Sequence, residues 1–302
     1  MKKEKYKYFM HGLKIESEIR LYGKLSEFDI PDVEILIGKV PKEIEGAIIN
    51  RRYTTASNTE CIEYAKNVAS FYAKLGKQII VEPVSDVEDS VISIFIEGRA
   101  ITAILNQRNV LTLHGSGVVK NKKGILIVGH SGAGKTSLTT GLLNSGFMLL
   151  TDDIIALDVK EQRLFIYPGM PVQKISKKLI SKYEMEDFII DKVDYPGVRH
   201  DKYHVNRMPL YKSEITEIDT IIYVTPHDGE IDLIQIKGME KIEMLIRNIY
   251  RKDFANLFIG HSEQFRRLNN LASNCSVYLL KRQVGIDTIE EQIELLSRRN
   301  IL

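Results

Sequence analysis

The run Gly129-His130-Ser131-Gly132-Ala133-Gly134-Lys135-Thr136 fits the pattern Gly-x-x-x-x-Gly-Lys-Ser/Thr. Residues of these types at this spacing suit polyphosphate chemistry. The glycines let successive backbone N–H groups turn toward one point and form a concave anion cradle. A helix starting at the end of the loop adds the positive pole of its peptide dipoles. Lys135 is expected to reach the β- and γ-phosphate oxygens, and the Thr136 hydroxyl to bind Mg²⁺. The nucleotide-contacting set expected from the run is Gly129, Ser131, Gly132, Ala133, Gly134, Lys135, Thr136 and the following Ser137.

One short helix and one strand further on, the chain carries two adjacent acids, Asp152 and Asp153. At the carboxyl end of a core strand they would face the nucleotide crevice of an open α/β sheet. One carboxylate can hold the Mg²⁺ that Thr136 also binds, since Mg²⁺ favours carboxylate-plus-phosphate sites. The other can accept the proton of an attacking hydroxyl. A solvated Asp-Asp turn is the plain alternative. No Asp-Glu pair for polarising water follows this strand, no Leu-Ser-Gly-Gly-Gln marks a transporter ATPase, and no Asn-Lys-x-Asp selects guanine. A hydroxyl acceptor is therefore expected rather than water.

These residues need a frame. Gly124–Val128 reads as a buried strand leading into the loop, and a helix from Lys135 to about Leu143 leaves it, stopped by Asn144–Gly146. Phe147–Leu150 is a further buried strand that ends at the acids and is expected beside the loop strand. Val110–Leu113, Gly117–Val119, Ile221–Val224 and Ser276–Leu280 read as strands, and 241–258, 262–273 and 287–298 as amphipathic helices. Strands alternating with helices predict an α/β core with a largely parallel sheet. Before residue 97 the runs Val33–Ile37, Gln78–Val84 and Val91–Ile96 look β-like. Residues 61–75 fit either a helix or a strand pair, and 97–107 look helical.

Composition sets the class. With 44% hydrophobic and 27% charged residues the 302-residue chain has material for a sizeable core. The net charge of +2 offers little surplus for phosphate backbones, which argues against nucleic acid. Cys61 and Cys275 have no partner motif and read as reduced core thiols. The basic start lacks the apolar stretch of a signal peptide, and the apolar runs are too short to span a bilayer. A cytoplasmic protein with no membrane partner is expected.

Some candidates carry less. His114 alone reads as a core histidine. Arg199, His200, Lys202, His204 and Arg207 form a mixed basic run, either a solvated loop or a source of a cation (Lys202 or Arg207) for the γ-phosphate. His200 and His204 lack a third metal ligand. Lys174, Lys177, Lys178 and Lys182 are expected on one charged helix face, with an acidic peptide as the alternative use. Pro168-Gly169-Met170-Pro171 reads as a rigid turn.

His114-Gly115, the strand Gly124–Val128, the phosphate loop, the short helix and Leu149-Leu150-Thr151-Asp152-Asp153 together resemble the kinase domain of HPr kinase/phosphorylase. Gly12-Leu13, Ser17-Glu18, Asp32-Val33, Gly38, Val40-Pro41 and the run Gln107–His114 are similar to stand-alone HPr-kinase-like proteins of peptide biosynthesis clusters, including lasso-peptide kinases. The resemblance implies a P-loop core of the HPr-kinase type behind a β-rich N-terminal part. It implies Lys135 on phosphate, Thr136 and Asp152 on Mg²⁺, Asp153 as proton acceptor, and His114 close to the transferred phosphoryl. The bifunctional family's downstream Glu-x-Arg-Gly-x-Gly signature has no match at 160–215, so phosphorylase activity is not expected. The Asp-Asp also resembles that of phosphoenolpyruvate carboxykinase, a much longer enzyme whose other ligands lack counterparts here.

The expectation is thus an ATP- and Mg²⁺-dependent kinase acting on a serine of a peptide or small protein, with a homo-oligomer left open. Residues 1–96 would form the β-rich region, a candidate for substrate binding, and 97–302 the catalytic domain. A small-molecule (metabolite or free-serine) kinase or carboxykinase-like enzyme and a non-catalytic nucleotide sensor are the alternatives.

Overall fold

The structure, a computed structural model, describes residues 4–160, 163–195 and 198–302, without the side chains of 160, 195 and 198–200. The chain opens with nine strands: β1 (Tyr6–Met10), β2 (Leu13–Ser17), β3 (Lys24–Leu25), β4 (Val33–Ile37), β5 (Ile49–Arg51), β6 (Thr54–Ala56), β7 (Glu60–Ala65), β8 (Ala69–Lys74) and β9 (Gln78–Pro83). They form one sheet in the order β3-β1-β2-β4-β9-β8-β7-β6-β5. Strict alternation shapes its first strands: Leu13, Ile15 and Ser17 are buried while Lys14 and Glu16 are not.

Of the two alternatives for residues 61–75 the strand pair is the one that forms, and one expected strand, Val91–Ile96, does not form. Residues 61–75 form the β7–β8 hairpin, turned at Asn67 with φ 59°. Both faces of β8 are covered, Phe71 and Tyr72 entering different apolar clusters, and that two-sided burial imitates a helical stripe. Val91–Ile96 is not a strand. It lies in α1 (Asp89–Phe95), which runs on through a π-helical turn (Ile96–Ala100) into α2 (Ile101–Gln107). Ile92, Phe95 and Ile96, at helical spacing, are buried against the sheet, and this packing overrides the β-branched preference of the run.

The second layer system contains β10 (Leu111–Lys120), β11 (Lys123–Val128), α3 (Lys135–Asn144), β12 (Met148–Thr151), β13 (Ile154–Lys160), β14 (Arg163–Tyr167), β18 (Thr216–His227), β19 (Asp232–Ile236) and β20 (Ser276–Gln283). Its strand order is β11-β10-β13-β14-β18-β20-β19, with β12 on β10 and a further β11–β18 pairing. Among the described residues only the β11–β18 and β18–β20 pairings of this sheet are parallel, so the expected largely parallel sheet is instead mixed and mainly antiparallel. The cause is local. Asn121 and Lys122, both at positive φ (50° and 66°), close a two-residue turn that folds β11 back along β10. β10 therefore takes the place beside the loop strand, and β12 pairs with β10 rather than with β11.

A three-stranded sheet, in the order β15-β17-β16, joins β15 (Val172–Ser176), β16 (Ile189–Tyr195) and β17 (Val198–Asn206), with α4 (Lys177–Lys182) between β15 and β16. The expected helix over 241–258 is broken into α5 (Met239–Ile246) and α6 (Lys252–Phe258), with Arg251 in the left-handed region at φ 47°. α7 (His261–Asn274) and α8 (Ile289–Arg298) complete the chain. The largest apolar cluster joins the N-terminal sheet and its helices to Ile154, Ala156, Met170 and Phe254. Among the described residues no helix is long and apolar enough to cross a membrane. Cys61 and Cys275 are buried and unpaired.

Candidate active site

The phosphate loop begins where β11 ends. Gly129 has φ 144°, and a Cβ there would lie 2.4 Å from the Val224 carbonyl oxygen of β18, so no side chain fits. Its N–H donates to Asn248 Oδ1 at 2.9 Å. Gly134 caps α3 at φ 104°, and a Cβ there would lie 2.7 Å from Arg282 Nε. That space lets Arg282 donate from Nε to the Ala133 carbonyl (2.6 Å) and from Nη2 to the Gly132 carbonyl (3.1 Å). The loop is thus pinned from two directions by residues far away in the chain.

Lys135 is buried and donates to the carbonyls of Gly129 (2.8 Å) and His130 (3.0 Å). Burial lowers its pKa, while Asp153 and Asp152 pull it back up. A cavity of ≈ 280 Å³ opens over it, bordered on the loop side by Ser131, Gly132, Gly134, Thr136 and Ser137. Gly129 and Ala133 do not line this cavity; they shape the turn behind it.

Asp152 and Asp153 line the same cavity. Neighbours on a strand face opposite ways, so two adjacent carboxylates share one cavity only if the backbone turns between them. Asp153 supplies that turn at φ 70°, a left-handed conformation that Asp tolerates better than most residues. Asp152 is buried and accepts from Ser116 Oγ at 2.5 Å. Burial raises its pKa, partly countered by the Ser116 bond and added to by Asp153.

Asp153 behaves oppositely. Lys174 Nζ donates to its Oδ2 at 3.1 Å, and His114 Nδ1 lies 3.4 Å from Oδ1. Burial alone would push the carboxyl up, but Lys174 and His114 outweigh it and hold the pKa at about 2. Lys174 in turn is raised by Asp153 against its own burial. His114 Nδ1 is also 3.1 Å from the Asp153 carbonyl, which can only accept, so Nδ1 carries the hydrogen in that contact. Burial lowers the imidazole's pKa, and its ring stacks on Tyr250 at 5.7 Å between centroids.

The basic residues separate. Lys174 lies on β15, not on a helix with Lys177, Lys178 and Lys182, which belong to α4. It lines the cavity, as does Lys202 of β17, which pairs in register with Ser176. Arg207 does not. It is 4% exposed, donates from Nε to Gln173 Oε1 at 2.9 Å, and burial draws its pKa down to about 10 despite Asp152. Lys182 pairs with Asp287 (3.0 Å) and Glu290 (2.9 Å). His204 sits 2.6 Å from Asp191 Oδ1, away from the cavity, and the side chains of Arg199 and His200 lie outside the described residues. In the Pro168–Pro171 turn, the Gly169 N–H donates to the Leu150 carbonyl at 2.8 Å, its carbonyl accepts from the Tyr211 hydroxyl at 2.8 Å, and a Cβ at Gly169 would lie 2.2 Å from Thr151 Oγ1.

Among the described residues no group of three or more His, Cys, Asp or Glu could cage a metal. Mg²⁺ needs no such cage, because it keeps waters and takes one or two carboxylates plus substrate phosphates. Thr136 and Asp152 line one cavity, and a hydroxyl and a carboxylate there fit that demand.

No family model matches this chain, and no curated protein matches it. Among solved structures, an HPr(Ser) kinase/phosphatase from Coxiella burnetii is similar over 63% of this chain and 95% of its own, at 14% identity and a TM-score of 0.30. A likeness that loose decides nothing.

Four residues at this site escape a reading of the sequence. Lys174 sits within a lysine-rich run that looks like a solvated helix face. Ser116 is one hydroxyl within a strand. Asn248 joins two parts of the site, its side chain to the Gly129 N–H and its carbonyl to the His114 N–H at 2.7 Å. Arg282 belongs to the last strand. None carries a local motif.

Proposed function

We propose that this chain is an ATP- and Mg²⁺-dependent phosphotransferase that moves the γ-phosphoryl group to a serine hydroxyl of a peptide or small protein. One observation carries the reading: the phosphate-loop lysine and two adjacent carboxylates open onto one cavity, with one carboxylate neutralised by Lys174. Thr136 and Asp152 would hold Mg²⁺, which when bound neutralises charge on the phosphate oxygens. Lys135, Lys174 and Lys202 bring positive charge to the place where charge develops on the transferred group.

In the reaction, the serine oxygen bonds to the γ-phosphorus as the bond to the β,γ-bridging oxygen breaks, and ADP leaves with those electrons. The hydroxyl proton passes to Asp153. A weakly basic carboxylate suits this step, because loose phosphoryl transfer needs positioning more than nucleophile activation. A pure nucleotide sensor would have no use for a second carboxylate held by its own cation.

The test is ADP release together with mass spectrometry of serine-containing peptides, for wild type, Asp152→Asn and Asp153→Asn. Asp153→Asn should retain MgATP binding and lose about a hundredfold or more in transfer, the scale of a positioned proton acceptor. Asp152→Asn should raise the Mg²⁺ requirement. Equal loss of Mg²⁺-dependent binding in both variants would contradict the division of roles. Phosphorylation of a metabolite with no peptide modified would overturn the acceptor assignment.

A further inference from the structure

The three-stranded sheet sends Lys174 and Ser176 of β15 and Lys202 of β17 into the cavity lining. Ser176 pairs in register with Lys202, and Lys174 with His204. Partners directly opposite in an antiparallel ladder share a face, so these four side chains stand on one side of the sheet. Asp191 of β16 pairs with His204 from the other side of β17. The row Lys174–His204–Asp191 therefore crosses the sheet strand by strand. Its near end bonds to Asp153 in the cavity.

The far end of the row meets the N-terminal part of the chain. His204 is 1% exposed, and its Nδ1 donates to Asp191 Oδ1 at 2.6 Å. The hydroxyl of Tyr22, from the segment between β2 and β3, donates to Asp191 Oδ2. The Tyr22 ring lies against the His204 ring at 4.5 Å between centroids. Tyr22 is itself anchored, since its N–H donates at 2.7 Å to Glu97 Oε1, a buried carboxyl on the π-helical turn. His204 Nε2 is buried and has no hydrogen-bond partner among the described residues. Asp191 and Tyr22 are thus what orient the imidazole. The imidazole in turn stands beside the Lys174 stem, a flexible chain that a single bond to Asp153 leaves other ways to lie.

We infer that Tyr22 and His204 are positioning residues for Lys174: through the Tyr22–Asp191–His204 contacts, the N-terminal part fixes the row from which the lysine reaches Asp153. Residues 1–96 then complete the site and do not merely adjoin it. The consequence for phosphoryl transfer rests on the proposed function, whereas the placement of Lys174 stands without it.

Two readouts on the full chain test this. Acetylation by acetic anhydride, followed residue by residue with mass spectrometry, reads the freedom of the Lys174 amine. Lys182, held by Asp287 and Glu290, is the control. His204→Ala, and the milder Tyr22→Phe, should each raise labelling at Lys174 several-fold and leave Lys182 at its wild-type rate. ADP release with a serine peptide should fall about tenfold in His204→Ala, the scale of a slightly misplaced group, with the KM for MgATP unchanged. In a Lys174→Met background His204→Ala should cost nothing more, because residues that act through one group are not additive. If His204→Ala does not fold, Tyr22→Phe takes its place in both measurements. Wild-type labelling of Lys174 in the variants, an equal rise at Lys182, or the same loss of transfer in both backgrounds would overturn the inference. Faster labelling at Lys174 alone, with no transfer by any of the proteins, would remove the proposed function and leave the positioning intact.

Discussion

Asp153 is an acid that the fold keeps ionised, and Lys174 is the larger reason. The lysine's ammonium and the neighbouring imidazole hold the carboxyl at about 2 against the push of burial. Replacing Lys174 with Met removes that cation, so the Asp153 pKa must rise. In the proposed transfer reaction the acid limb of the pH–rate profile should move to higher pH, and the rate at neutral pH should fall by about a hundredfold as a charge-stabilising group is lost. The sign for stability follows the same shift. A depressed carboxyl stabilises the fold above its unfolded pKa, near 3.9, and that contribution is lost as pH falls toward 2. An acid limb at the same pH in Lys174→Met would show that the pair does not control the site. Lys174 also shows why a site is only partly legible in sequence. The phosphate loop and Asp152–Asp153 are contiguous motifs and can be read directly. Lys174 enters the site through β15, which pairs with β17, and among the lysines of 177–182 it looks like one more solvated charge.

At the scale of elements, strands and helices with simple one-sided burial were legible and their neighbours were not. The loop strand, α3, β12 and α8 sit where their apolar spacing indicates, because each presents one covered face or a short fully buried run. The pairing of β12 with β10 depends on the Asn121-Lys122 turn, a feature of backbone conformation that hydrophobicity does not report. Asn248 depends on tertiary structure in the same way. It lies just beyond α5, is buried, accepts from Gly129 N–H and donates from Nδ2 to the Met244 carbonyl at 2.7 Å. Asn248→Ala would leave both backbone groups without these partners, and an unsatisfied buried polar group costs about 1–3 kcal/mol. The denaturation midpoint should fall accordingly, with MgATP affinity several-fold weaker because the first loop residue loses its anchor. Reduced stability with unchanged MgATP affinity would confine Asn248 to a structural role.

The whole molecule is held together across its two large sheets. Beyond the shared apolar cluster, Glu63 on β7 pairs with Arg251 between α5 and α6, and Glu63 is 1% exposed. Burial raises the Glu63 pKa and Arg251 opposes that rise. Removing the cation by Arg251→Leu strands a buried carboxylate, a change that typically costs about 3–5 kcal/mol. The loss must depend on pH. With its pKa raised further, Glu63 is tolerated when protonated, and stability falls as rising pH ionises it. The melting-temperature difference between wild type and Arg251→Leu should therefore be smaller near pH 5 than near pH 8, and an equal difference at both would contradict the role of the pair. The exposed Arg51–Asp253 pair nearby, at 2.5 Å, should contribute little, as surface pairs do.

A loop, two acids and the lysines of a separate sheet meet at the cavity above Lys135. The decisive measurement is titration of MgATP into wild type and Lys135→Ala, with circular dichroism to verify the fold. Wild type should bind MgATP in a Mg²⁺-dependent manner, and Lys135→Ala should keep its fold and lose that binding by about a hundredfold or more, since the proposed function puts the lysine's charge on the β- and γ-phosphates. Unchanged MgATP affinity in a folded Lys135→Ala would contradict the account.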